Sequence, residues 1–167
     1  MGNSGVFEVY NKTVQVEKGI GESARKAIVR ACAETEAEAK QEITRQVYSG
    51  TDTKARGKSG PTGAARASIY FVAPGKDGYS KGISEAQAKA SSRGKSIEVF
   101  PEVQITHNEH TPEGIVTCGV CYGFFIEFGT TGVHVSIPPR PFMTPAAAKV
   151  GPQFEKWCLD LLKAELK

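Results

Sequence analysis

The sequence predicts an α+β domain: a long N-terminal helix, a small, mostly antiparallel sheet of about three to five strands, and a C-terminal helix packed on the sheet. Three observations carry this. A stretch from Glu22 to Val47 holds no proline or glycine and has apolar residues at three- and four-residue steps. Short β-branched runs then alternate with turn residues, and a second amphipathic segment closes the chain. At 167 residues, 1–167 is read as a single domain.

The helix follows from Ile28, Cys32, Thr35, Ala39, Ile43 and Val47, which share one face, while Glu34, Glu38, Gln41 and Glu42 lie opposite. The stripe is thin, with small residues where Leu would be usual. Before it, Val6, Val9, Val14 and Val16 alternate with polar residues, which predicts short strands or an extended arm. After it, residues 50–63 contain Gly50, Gly57, Gly60, Gly63 and Pro61 with no large apolar residue, as a mobile loop would. Ser68–Ala73 (SIYFVA) reads as a strand stopped by Pro74-Gly75, and residues 75–95 as a second mobile loop with a short helix near Ile83 to Ala90. Ile97, Val99, Val103 and Ile105 have one parity, with Pro101 forcing a bulge or an edge. A turn at Thr111–Gly114 leads to a strand from Ile115 to Tyr122, apolar on both faces. The last helix is expected to start at Thr144-Pro145, as N-cap and first-turn proline, with Phe154, Trp157, Cys158 and Leu161 as its stripe and a kink or restart at Gly151-Pro152.

Composition removes several classes. The chain is 40% hydrophobic and 23% charged and has no run of about 18 apolar residues, so no membrane-spanning helix is expected. The N-terminal residues have neither the basic segment nor the apolar core of a secretion signal. A net charge of +3 is too small for a dedicated nucleic-acid binder but compatible with weak, non-specific contact with DNA. The four cysteines are expected as free thiols. There is no Walker-type loop, Gly-x-Ser-x-Gly elbow or acid pair, so no enzymatic activity and no cofactor are expected.

The block Tyr122-Gly-Phe-Phe-Ile-Glu-Phe-Gly-Thr130, the loop Pro138-Pro-Arg-Pro-Phe-Met-Thr-Pro-Ala146 and the closing helix stand out, with Thr62-Gly63 and Ser68-Ile69 in order upstream. This combination resembles the small neck and tail-completion (head-to-tail joining) proteins of long-tailed bacteriophages, over roughly the last hundred residues. Two departures are visible: a longer polar insert at Gly75 to Lys95, and Gly151-Pro152 in a normally continuous helix. The resemblance implies a structural virion protein of a phage or prophage, made in the bacterial cytoplasm. It further implies a homo-oligomeric ring, hexameric by expectation, between a head connector, adaptor or stopper and the tail tube or terminator.

From the resemblance, Tyr122, Phe125, Glu127, Phe128, Gly129, Thr130, Pro139, Arg140, Pro141 and Phe142 form a packed signature, and Trp157 docks the last helix. Glu127 lies among aromatic residues, where a raised pKa would suit a catalytic acid. With no second acid or nucleophile beside it, a structural role is expected: accepting hydrogen bonds from loop amides, or pairing with Arg140. The prolines around Arg140 stiffen the entry to the helix. Lys54, Arg56, Lys58 and Arg66, with Lys76 and Lys81, put positive charge on the two loops, the expected contacts with partners or with DNA passing through the ring.

The rival reading rests on His107, His110, Cys118 and Cys121, residues of zinc-ligand type within a short span. If Thr111–Gly114 turns a regular hairpin, His107 falls opposite Cys118 while Cys121 points to the other face, and the four do not converge. No metal is therefore expected. The alternative function is a small zinc- or nucleic-acid-binding accessory protein using these four residues and the basic loops.

Overall fold

The computed structural model describes residues 4–48, 62–105, 112–131 and 136–165, with side chains from 21 onward. Helix α1 spans Ser4–Ile43 and continues into a π-helical turn at Thr44–Tyr48. Its N-terminal part corrects the expectation of strands or an arm around Val6 to Val16. The spacing of Val6, Val9 and Val16 fits a helical repeat as well as a loose alternation, and Gly19 and Gly21 do not stop the helix. Of the expected stripe, Cys32, Ala39 and Ile43 are buried and Ile28, Thr35 and Val47 half-buried, while Ala27 is buried as well.

A single turn of helix, α2 (Ala64–Ala67), leads into strand β1 (Ile69–Ala73). Pro74-Gly75 turns the chain into β2 (Lys76–Asp77), and β1 also pairs antiparallel with β3 (Ile115–Cys118), giving a three-stranded sheet in the order β2-β1-β3. Residues 75–95 are thus less of a loop than expected: the short helix expected near Ile83 to Ala90 is present and longer. After β2 they form helix α3, Tyr79–Ser91, whose first turn is capped by Asp77: its Oδ1 accepts the Tyr79 N–H at 2.8 Å. Ile83, Ala86 and Ala90 recur at three- and four-residue steps and are buried, forming its stripe.

The strand expected over Ile97–Ile105 is reduced to one antiparallel bridge, Val99 to Val120, bounded by Phe100 N–H donating to Gly119 O and Cys121 N–H to Glu98 O. Pro101 has no N–H with which to continue that ladder. The strand expected from Ile115 to Tyr122 ends at Cys118, because Gly119 turns to donate its N–H to Ser68 O. Its expected lead-in turn begins at Thr111, which lies outside the described residues, as do 50–61 of the first expected loop.

Gly123–Phe128 forms a short helix, α4, followed by the small hairpin β4 (Thr130–Thr131) and β5 (Ser136–Ile137) and the closing helix α5, Met143–Glu165. No restart occurs at Gly151-Pro152: the helix is continuous through Pro152. α5 packs along α1, held by Lys149 Nζ bonded to Glu38 Oε2 at 2.6 Å and by Trp157, 8% exposed, beneath the Arg30 guanidinium at 4.3 Å. The core is rich in small side chains, with Ala39, Ala64, Ala65, Ala67, Ala86 and Ala146 around Ile43, Ile69, Val120 and Phe142. Such residues let helices and sheet approach closely but bury little apolar area each.

Candidate functional site: a carboxylate knot under an exposed aromatic helix

Glu127 lies in the last turn of α4, and its carboxylate reaches the first turn of α5. Oε2 accepts the N–H of Phe142 at 2.6 Å and of Met143 at 2.9 Å, while Oε1 accepts the N–H of Thr144 at 2.9 Å and its hydroxyl at 2.6 Å. Amides at a helix start have no carbonyl partner within the helix, and the helix dipole favours an anion there. The cap expected from Thr144 itself is therefore supplied by Glu127, and Thr144 adds a donor to it. Burial alone would raise the Glu127 pKa. The Thr144 hydroxyl and the amides of Met143, Phe142 and Thr144 outweigh it and hold the carboxyl below its ordinary range.

Of the two partners expected for Glu127, the structure brings loop amides to it. Arg140 is exposed, and its backbone N–H donates to Ile126 O at 2.8 Å. Pro141 O accepts a hydrogen bond from Gln46 Nε2 at 2.5 Å, which ties the proline loop to the end of α1. Phe142 is 1% exposed and belongs to the core. Gly129 has φ 72°, and a Cβ there would lie 2.6 Å from Ile137 O and 2.8 Å from Pro139 N. The chain can fold back against Ile137–Pro139 only with glycine at this point. Thr130 pairs with Ile137 in the small hairpin. Tyr122, half-buried at the start of α4, has its phenol pKa pushed up by burial.

The aromatic members separate into two groups. Phe125 and Phe128, expected to be packed, are 48% and 62% exposed. Phe124, which sequence reasoning missed, is 57% exposed and links them, with its ring centroid 6.0 Å from Phe125 and 4.8 Å from Phe128. Had residues 123–128 been read as a helix, spacings of three (Phe125 to Phe128) and four (Phe124 to Phe128) would have placed the rings on one face. Ile137, 39% exposed, follows in the hairpin that pairs with Thr130. The result is an apolar patch carried on a short helix whose far end is locked to α5 by the Glu127 carboxylate.

The metal-type residues do not assemble among the described residues, where no group of three or more His, Cys, Asp or Glu is placed to hold an ion. His107 and His110 lie outside the described residues. The Cys118 thiol sits 3.3 Å from Ser68 Oγ and 3.7 Å from Ala65 O, with burial pushing its pKa up, and Cys121 is half-buried in the turn before α4. Of the expected basic contacts, Lys54, Arg56 and Lys58 lie outside the described residues. Arg66, Lys76 and Lys81 are exposed on α2, β2 and α3. No described helix is long and apolar enough to cross a membrane. No protein-family model matches the chain, and no curated protein and no solved structure matches it either.

Proposed function

We propose that this chain is a structural subunit of a phage neck or tail-completion ring, a homo-oligomer of six joining the head connector to the tail. The observation that carries the reading is the exposed cluster of Phe124, Phe125 and Phe128 on a helix anchored by the Glu127 knot. Fully burying one such ring is worth about 1.5–3 kcal/mol, and contiguous exposed aromatic surface marks an interaction site. The thin, alanine-rich core points the same way, because neighbouring subunits would add the burial that one chain lacks. The resemblance of the Tyr122–Thr130 and Pro138–Ala146 blocks supplies the identity of the assembly. In this reading the protein works by binding: the knot holds the aromatic helix at a fixed angle, so that neighbouring copies meet a prepared surface.

The test is a double substitution, Phe124→Ser with Phe128→Ser, followed by light scattering over a concentration series. Both rings are exposed, so far-UV circular dichroism and the melting temperature should stay close to those of the parent. The parent is expected to reach a ring mass and the variant to remain monomeric. A variant that assembles like the parent would refute the aromatic interface.

A further inference from the structure

Three concavities adjoin one another, and all are lined by Lys40 of α1. The first, about 480 Å³, lies where α1, α2 and α3 meet, with Lys40, Arg66, Lys89 and Arg93 facing one carboxylate, Glu85. The second, about 500 Å³, shares Lys40 and Glu85 and adds Lys76 and Lys81 with Glu36 and Asp77. The third shares Lys40 and Arg66 and adds Arg45. These cations are scattered through the sequence from α1 to the residues just after α3, and only the fold places them along one groove.

Of the three carboxylates lining the groove, Glu85 faces the cations in the first two concavities and the other two are engaged. Glu36 is bonded to Lys40, and Asp77 accepts the Tyr79 N–H that starts α3. By contrast, among the described residues none of Arg66, Lys76, Lys81 and Lys89 has a carboxylate within 4.0 Å, and all four are exposed. Lys89 lies across the floor of the first concavity, its Cδ 3.7 Å from where a Cβ on Gly63 would stand. Unpaired cations on one polar, open groove suit an extended polyanion better than a single buried anion. Lysine and arginine side chains at varied heights meet successive phosphates without reading bases.

We infer that this groove binds the phosphodiester backbone of nucleic acid, independently of sequence. The inference concerns one chain and does not require ring assembly, so either can fail without the other. Of the expected DNA contacts it keeps Arg66, Lys76 and Lys81 and joins them with Lys89 on a surface built by α1, α2, β2 and α3.

The experiment is fluorescence anisotropy of the full chain with a labelled duplex of about 30 base pairs, at several salt concentrations. Arg66→Glu with Lys89→Glu is compared with a charge-matched control, Lys156→Glu with Lys163→Glu, on α5 outside the groove. Binding should weaken with salt. The groove variant should lose at least about tenfold in affinity at low salt, and its log–log salt slope should fall by about 2, for two lost phosphate contacts at about 0.9 each. The control should bind nearly as the parent does. Arg66→Gln with Lys89→Gln should shift in the same direction by less, which separates lost charge from damaged structure. Equal losses in groove variant and control would overturn the inference in favour of net charge alone. No binding of the duplex at low salt would overturn it outright. Displacement of the duplex by polyglutamate at equal charge concentration would overturn it in favour of an acidic protein partner, and competition by inorganic phosphate at the same phosphate concentration in favour of a free-ion site.

Discussion

Replacing Glu127 with Gln preserves shape but removes the charge and turns an amide NH₂ toward a cluster of donors. The carboxylate accepts four hydrogen bonds, three from the backbone N–H groups of Phe142, Met143 and Thr144 at the start of α5 and one from the Thr144 hydroxyl. A hydrogen bond to an ionised group contributes about 1.5–3 kcal/mol, and loss of an N-terminal cap costs about 1 kcal/mol. The four bonds share one acceptor group and do not add. The substitution should therefore cost about 2–4 kcal/mol, which at about 2–4 °C per kcal/mol for a chain of this size lowers the melting temperature by about 5–15 °C. The pH dependence sharpens the test. The folded pKa of Glu127 is depressed, so the unfolded chain binds the proton more readily, and the stabilisation is present above the ordinary carboxylate range. It is lost as pH falls through the folded value. Urea denaturation of parent and variant at pH 7 and at about pH 3 should show a gap that narrows on acidification. A gap below about 0.5 kcal/mol at pH 7, or one that does not change with pH, would refute the capping role.

Gly129→Ala should destabilise by at least about 2 kcal/mol, since it combines a positive φ with backbone atoms where the methyl group must go; chemical denaturation reads this directly. Trp157→Ala should cost about 3–5 kcal/mol and loosen α5 from α1, visible as faster amide exchange along α5. Tyr48, whose phenol burial pushes up to about 12, should ionise well above the ordinary phenol value of about 10 in an alkaline absorbance titration. Because its folded pKa is raised, its contribution is complete below about pH 10, the unfolded value, and declines as pH rises from there toward 12.

The helical and strand elements were legible where burial imposes a period. Ala39 and Ile43 on α1, Ile69 to Ala73 on β1 and Trp157 on α5 all follow from spacing, and with them the α+β class with its long N-terminal helix, small antiparallel sheet and C-terminal helix. What stayed hidden was non-local. Helix α3, expected only near Ile83 to Ala90, runs from Tyr79 to Ser91, and its full extent shows only once β1 and α2 are placed beside its buried Gly82, Ile83, Ala86 and Ala90. The expected strand through Ile97 and Ile105 had the right parity but lacked the proton donor at Pro101 and kept a single bridge. Glu127 stood out among aromatic residues, yet its true partners lie 15 to 17 positions away, and only the fold-back at Gly129 brings them to it. The short helix at Gly123–Phe128 was not expected from the sequence, and Phe124 stayed concealed with it. Of the groove's cations, Arg66, Lys76 and Lys81 stood out in the sequence, but their alignment with Lys40 and Lys89 did not, since these residues come from three helices and a strand.

The central claim is assembly through the exposed aromatic helix, and native mass spectrometry of the purified chain over a concentration series tests it most directly, because subunit number and bound metal appear together. The account predicts a metal-free species at six times the chain mass that grows with concentration. A strictly monomeric mass across the whole series would contradict it, as would one zinc per chain that disappears on Cys118→Ser, which would favour the metal-binding alternative.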